Sequence, residues 1–289
     1  MRIAITGASG FVGKALCPYL TQTLHADIVS ITRSATHGDV PNLSQTDTEL
    51  ISQLNNIDCL IHLASRAHTH GSTQQDFERD NIDLSERIGK ICTAAKIPRL
   101  IYLSSIKVNG NSTTYRAPYS ASEAPMPEDD YGKSKLASEN ILKSITNNTQ
   151  TNLVIIRPPL VYGDKNKGNL KTLVRLIKSG IPLPFAALTN KRDLVSVENL
   201  CSLIATCVQH TDACNHTFLV SDGISRSTSD IIKLLCTREQ LTCKQFPVPF
   251  FIYNSLKYLK PFKNQIESLT GDLQVDITQT QAILGWQPR

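Results

Sequence analysis

At 289 residues the chain exceeds the usual single-domain size but suits one α/β unit with a smaller lobe, and 40% apolar content can build a real core. The net charge of +5 comes from scattered basic residues, which reads as a solvated surface and argues against a nucleic-acid patch, while a mild positive bias suits an anionic small molecule. No apolar run approaches the ~18 residues of a membrane span, no signal peptide fits before the strand at Arg2, and eight cysteines without a C-x-x-C pair read as buried thiols of a reducing, cytoplasmic compartment.

Arg2 to Thr6 reads as a short apolar strand. Gly7-Ala8-Ser9-Gly10-Phe11-Val12-Gly13 follows at once, and then a helical pattern over 11–17. Glycines at 7, 10 and 13 suit a tight strand-to-helix turn that sets backbone N–H groups against a pyrophosphate. The position after a strand and before a helix is the context that makes such a triplet a dinucleotide site. Pro18 predicts a kink or an early end to the helix. Further strands are expected at 28–32, 58–63, 100–104 and 153–157, and helices at 76–96 and 131–146. This alternation predicts an α/β fold, a doubly wound parallel sheet of Rossmann type.

The second strand ends Ser30-Ile31-Thr32-Arg33-Ser34. An NAD enzyme usually places an acidic residue there, against the ribose 2′-hydroxyl. Arg33 instead offers a cation to a 2′-phosphate, with Thr32 and Ser34 as hydroxyl partners, so NADP is expected, with NAD possible. A third strand is reduced to Gly38-Asp39-Val40. His62 reads as a packed strand residue. His68 and His70 lack a third ligand at suitable spacing, so no metal is expected. The sequons at Asn111, Asn147 and Asn215 read as chance matches.

From Asp164 the organisation changes. Leu170 to Lys178 looks helical and ends near Gly180; Ile181 to Pro184 is extended. Arg192 to Val197 returns towards the first domain, and a helix follows near 198–209. After Gly223 the chain is helical and proline-punctuated. The expected division is a dinucleotide-binding domain over 1–163, to which 191–222 returns, and a discontinuous, mostly helical substrate lobe over 164–289. The aromatic and basic stretch Phe250 to Lys260 could lie on a membrane surface, but is read as a helix covering the substrate cleft.

Tyr131 and Lys135 stand four apart and share a helix face. A phenol with a pKa near ~10 yields its proton reluctantly, and an ammonium nearby favours the phenolate. A serine hydroxyl from another element can complete the relay. Ser104 and Ser105 end a strand at the carboxyl edge, where doubly wound folds bind ligands. The group suits proton transfer at a carbinol or carbonyl oxygen while hydride moves at carbon. Twenty-five residues separate Ser105 from Tyr131, enough to order over a substrate.

The chain resembles extended short-chain dehydrogenases/reductases of the NAD-dependent epimerase/dehydratase family. The matching residues are Thr6 to Gly13, Ile61-His62-Leu63-Ala64-Ser65, Asn81, Ser104-Ser105, Tyr131 with Lys135, Arg157-Pro158-Pro159, Tyr162-Gly163 and Arg192-Asp193, in family order over nearly the whole chain. Ser104 to Gly110, Arg157 to Gly163, Lys167-Gly168-Asn169, Leu273 to Asp276 and Leu284-Gly285-Trp286 are similar to a narrower subgroup, the sugar-nucleotide reductases and epimerases of bacterial surface-polysaccharide (O-antigen) synthesis.

The resemblance implies several roles. Tyr131 would be the general acid/base, Ser105 would orient the sugar oxygen, and Lys135 would hold the ribose hydroxyls and depress the tyrosine pKa. Gly7, Ser9, Gly10, Phe11, Val12, Gly13, Arg33, Leu63, Ala64, Asn81 and Pro158 would contact the cofactor, with Asn81 at the start of its helix and Asp39 as a candidate against the adenine. Ser105, Lys107, Asn169, Leu170 and Arg192 would meet the substrate. The implied activity is oxidoreduction at C4 of a UDP-linked sugar, with reduction of a UDP-4-keto-6-deoxy-hexosamine expected first and a 4-epimerase as alternative. Family dehydratases carry an Asp-Glu pair where this chain has Ile106 and Lys107, which excludes 4,6-dehydration. A homodimer through the helices at 76–96 and 131–146 is also implied. A non-catalytic dinucleotide sensor is the rival of another class.

Overall fold

The computed structural model describes residues 1–34, 41–67, 72–164, 168–256 and 263–289. The reduced third strand with Asp39, the His68–His70 pair and Lys257–Lys260 lie outside these. β1 (Arg2–Thr6) runs mid-sheet, with Ile3 and Ile5 facing one apolar layer and Ala4 the other, as the period of two in a strand requires. α1 (Phe11–Leu24) and β2 (Asp27–Ile31) follow. α1 passes through Pro18 where the sequence suggests an early end. Pro18 forfeits one N–H bond, but Leu16 and Leu20 on either side are fully buried and hold the helix to the sheet.

α2 (Asp47–Gln53) opens on a capping box at Thr46 and Glu49 and leads to β3 (Cys59–His62). The helix expected at 76–96 begins as α3 (Gln74–Phe77), passes through a π-helical turn at Glu78–Asp83, and continues as α4 (Leu84–Ala94). β4 (Arg99–Leu103), α5 (Asp130–Thr146) and β5 (Asn152–Arg157) complete the alternating part. Gly89 lets α4 approach α5: a Cβ there would lie 2.8 Å from Leu142 Cδ2.

β6 (Leu160–Tyr162), α6 (Gly168–Lys178), β7 (Leu194–Ser196), α7 (Val197–Gln209) and β8 (Thr217–Leu219) come next. The main sheet has the order β2-β1-β3-β4-β5-β8, all parallel, while β6 and β7 form a parallel pair of their own. α1 and α7 cover one face and α4 and α5 the other. This is the expected doubly wound parallel α/β sheet.

α8 (Thr228–Arg238), α9 (Phe250–Leu256) and α10 (Lys263–Thr270) complete a second apolar cluster with α6, built on Leu173, Ile177, Ile232 and Tyr253. The end of the chain departs from the expected boundary. Leu273, Val275 and Trp286, flanking α11 (Thr278–Leu284), are buried in the core of the main sheet. Backbone pairing explains this: Tyr119 bridges Val275, and Asp276 N donates to Tyr119 O at 2.8 Å.

The cysteines are free thiols, with Cys59, Cys92, Cys201 and Cys207 buried. No helix among the described residues is long and apolar enough to cross a membrane.

Candidate active site

The strand order reverses between β1 and β3, and ligands of doubly wound folds settle at the carboxyl ends of such a pair. Here β1 delivers the chain to Gly7, whose φ of +72° strains a residue with a side chain. A Cβ at Gly7 would stand 2.8 Å from Ala64 N, and one at Gly13 only 2.4 Å from Gly7 O. The turn therefore presses against the segment that follows β3. Leu63 N donates to Thr6 O, and Ala64 N to Thr6 Oγ1, both at 3.2 Å. Gly10 is the N-cap of α1 and offers no side-chain acceptor to the first-turn N–H groups of Phe11, Val12 and Gly13. Exposed Ser9 lies beside them. A cradle of open N–H groups at a helix N-terminus fits the pyrophosphate of a dinucleotide.

Arg33 and Ser34 are exposed just beyond β2, and Thr32 Oγ1 donates to Ser34 O at 2.9 Å. No acidic residue stands at this strand end.

Ser104 and Ser105 continue the line of β4 beside β5: Ser104 N donates to Ile156 O at 2.8 Å and Ile106 N to Pro158 O at 2.9 Å. Ser105 then caps a 3₁₀ turn over Ile106–Val108, accepting from Lys107 N at 3.2 Å. Asp129 caps α5 through Gly132 N at 2.7 Å. A Cβ at Gly132 would meet Lys107 O at 2.5 Å, so the helix start rests on the 3₁₀ turn. That contact brings the Tyr131 hydroxyl to a hydrogen bond with Ser105. The Tyr131 ring tilts against Phe77, centroids 6.1 Å apart.

The charge states differ from expectation. Loss of solvation pushes the Tyr131 phenol up to about 12, and its bond with Ser105 only partly offsets this. Lys135 does not depress it, because burial also pulls that ammonium down to about 7, against Glu139. Its Nζ donates instead to Tyr102 Oη at 3.2 Å and Leu103 O at 2.9 Å. Asn81 does not start a helix; it sits inside the π-helical turn, fully buried. Its side chain accepts from Arg66 N at 2.7 Å and donates to Ser134 Oγ at 2.9 Å, tying the segment after β3 to α5. Such π turns recur where function places a side chain against helical regularity.

Of the remaining expected contacts, Pro158 is buried at the end of β5. Lys107 Nζ donates to Asn111 Oδ1 at 2.5 Å and lies 3.3 Å from Asp129 Oδ2. Arg192 is half-buried; it donates to Gly271 O at 3.0 Å, and burial lowers its pKa to about 10. Asn169 and Leu170 begin α6 as expected, but the Leu170 side chain belongs to the second apolar cluster and leaves only its backbone for a ligand. His62 is fully buried with both ring nitrogens bonded, to Thr6 Oγ1 and Ser85 Oγ. Among the described residues no group of His, Cys, Asp and Glu could hold a metal.

Sequence reasoning missed one feature, a buried ion pair behind Ser105. Arg157 Nη2 lies 2.6 Å and Nε 2.9 Å from the Glu139 carboxylate, and Ser104 Oγ donates to the same group at 2.5 Å. Arg157 also donates to Asn109 Oδ1 at 3.0 Å. The signal available was Glu139 on the buried face of α5, four residues after Lys135.

A sequence profile described as "NAD dependent epimerase/dehydratase family" matches residues 3–221. The chain belongs to this family. It is 38% identical to UDP-glucose 4-epimerase of Vibrio cholerae, over 99% of this chain and 90% of that protein. It is 24% identical to dTDP-4-dehydro-6-deoxyglucose reductase of Escherichia coli, over 99% and 92%. The fold is similar to UDP-glucuronic acid 4-epimerase from Bacillus cereus in complex with NAD, with a TM-score of 0.78, 20% identity, and coverage of 100% of this chain and 94% of that one. It is also similar to RMD from Pseudomonas aeruginosa complexed with NADPH, with a TM-score of 0.73, 19% identity and the same coverage. As a member of this epimerase/dehydratase family the protein is an enzyme that uses a nicotinamide dinucleotide, and the cradle at Gly7 and Gly13 fits that cofactor.

Proposed function

We propose that this enzyme acts at C4 of a UDP-linked sugar. One observation carries the reading: Ser105, Tyr131 and Lys135 converge from β4 and α5 at the carboxyl edge of the sheet. Gly7, Ser9, Gly10, Phe11, Val12 and Gly13, with Leu63 and Ala64, would hold the dinucleotide's phosphates and adenosine. Arg33 would meet its 2′-phosphate, and Asn81, Lys135 and Pro158 would support the nicotinamide side. When bound, this cofactor supplies the hydride chemistry. Tyr131 moves the proton at the sugar O4, and Ser105 orients that oxygen. Lys135 holds the ribose hydroxyls, which add acceptors to its ammonium and favour its charged form. Lys107, Arg192 and the start of α6 at Asn169 and Leu170 would meet the substrate, its diphosphate above all.

The finer reading is reduction of a UDP-4-keto-6-deoxy-hexosamine with NADPH, in surface-polysaccharide synthesis in the cytoplasm. Arg33 at the end of β2 favours NADPH, and a phenol held protonated suits donation to a carbonyl oxygen. The similarity to the Vibrio cholerae protein favours a second reading, UDP-sugar 4-epimerase, which takes a proton from the sugar hydroxyl first. In this reading of the chain, α6 and α8 to α10 form the substrate lobe. A homodimer would pair α4 and α5 of two copies. Ile106 and Lys107 at the dehydratase positions argue against 4,6-dehydration.

The test is incubation with a panel of UDP-hexoses, UDP-N-acetylhexosamines and their 4-keto-6-deoxy forms, with NADH or NADPH, products read by NMR. Stoichiometric NADPH consumption with a 4-keto substrate establishes the reductase. C4 inversion without net cofactor use establishes the epimerase. No turnover of any UDP-sugar refutes both readings, and detectable turnover excludes the non-catalytic dinucleotide sensor.

A further inference from the structure

Behind the site runs a chain of buried polar groups that the chemistry above does not use. Lys135 is 1% exposed, and its Nζ also lies 4.7 Å from the centroid of the Tyr102 ring, besides its bond to that residue's hydroxyl. Tyr102 is fully buried in the apolar layer beneath α4 and α5. Its hydroxyl also meets Ser85 and Ser138, and its ring stacks on His62 at 5.5 Å. His62 Nε2 lies 3.2 Å from Ser85 Oγ, and Nδ1 lies 2.6 Å from Thr6 Oγ1. The chain thus reaches from α5 through β4 and α4 to β3 and β1, next to Gly7.

The protons in this chain can be placed. Thr6 Oγ1 accepts from Ala64 N, so its own hydrogen is free to go to His62 Nδ1. Burial, with the Lys135 charge adding to it, holds His62 neutral, at about 3. Its one proton then sits on Nε2 and is donated to Ser85 Oγ. Ser85 then keeps its own hydrogen for the Tyr102 hydroxyl that it meets. Ser138 Oγ donates to Asn81 O or Ser134 O and keeps a lone pair for the Tyr102 hydrogen. Tyr102 Oη is left facing Lys135 as an acceptor. Packing alone needs only the ring; a hydroxyl in this apolar layer is unfavourable unless fully bonded.

We propose that Tyr102 is a positioning residue of this site, its hydroxyl and ring seating the Lys135 ammonium while Ser85, His62 and Thr6 fix that hydroxyl as an acceptor. The proposal rests on the role given to Lys135 above. The titratable groups around the ammonium are Tyr131 and Glu139 from its own helix, Tyr102 from β4 and His62 from β3. Arg157 from β5 acts through its pairing with Glu139. A hydrogen bond accepted from the ammonium favours its charged form, so losing the acceptor lowers the pH at which the charge is lost.

The test is Tyr102→Phe, with kcat/KM and dinucleotide Kd followed from pH 5 to 10. The alkaline fall in kcat/KM should move acidward by about one pH unit, and dinucleotide affinity above that limb should drop roughly tenfold, with little change on the acid side. Ser85→Ala should move the limb the same way by less, and carries the test should Tyr102→Phe not fold. An unmoved limb, or a uniform loss at every pH, overturns the proposal. Lys135→Met separates the two failures. If it keeps turnover and affinity, the site reading falls; if it loses both while the Tyr102→Phe limb stays put, only this inference falls.

Discussion

The buried pair of Glu139 and Arg157 gives the sharpest stability prediction. The carboxylate is fully buried and accepts three bonds, two of them from Arg157 and one from Ser104. Arg157→Met keeps the apolar stem but leaves a buried anion with one hydroxyl partner. Breaking such a pair from one side typically costs about 3–5 kcal/mol. At about 2–4 °C per kcal/mol for a chain of this size, Tm should fall by roughly 10 °C. Trp286, the single tryptophan, is buried in the main core with Nε1 3.2 Å from Ser202 Oγ, so its fluorescence reports urea unfolding directly. The double variant Arg157→Met/Glu139→Leu removes both charges and should recover most of the loss, because the pair itself gains little over well-packed apolar groups. A single variant within 1 kcal/mol of the wild type would refute the reasoning, since it would mean the carboxylate relaxes to water. So would a double variant no more stable than the single one.

Tyr131→Phe should keep the fold and dinucleotide affinity while losing about 10²–10⁴-fold in turnover, read in a coupled NADPH assay; a variant within threefold of the wild type sinks the assignment. Gly13→Ala forces a Cβ into the space 2.4 Å from Gly7 O, so it should abolish measurable dinucleotide binding in a fluorescence titration and lower Tm. Binding retained at wild-type affinity would show that the turn does not carry the pyrophosphate. For Arg33→Ala the expected outcome is loss of a preference for NADPH over NADH; equal wild-type affinities, or NAD retained through purification, favour the epimerase.

The sheet was legible because each strand is a short apolar run bounded by polar or helical sequence, and the alternation fixes parallel order through its crossovers. What it could not fix came from long-range partners. Pro18 predicts a break only if the helix stands alone, and burial of Leu16 and Leu20 overrides it. Leu273 and Val275 read as part of the distal lobe by position, yet they pack on the main sheet because Arg192 and Tyr119, respectively, offer them a backbone edge. Asn81 reads as a helix start by motif, and the π-helical turn around it is invisible to a period of 3.6.

The site shows the same division at finer grain. Spacing alone put Tyr131 and Lys135 on one face of α5, while the strand end offered both Ser104 and Ser105 and only the family resemblance chose Ser105. Their protonation could not be read that way. It depends on how far each group is withdrawn from water and on which acceptors the sheet presents, and these come from Tyr102 on β4 and Leu103 at its end. Burial holds the Tyr131 phenol protonated and pulls the Lys135 ammonium down to about 7. A ligand that brings hydroxyl acceptors to Lys135 would favour its charge, and that charge would in turn favour the Tyr131 phenolate. Cofactor binding and readiness of the acid/base are then one equilibrium, which is why the residues seating the lysine matter as much as those that touch the sugar.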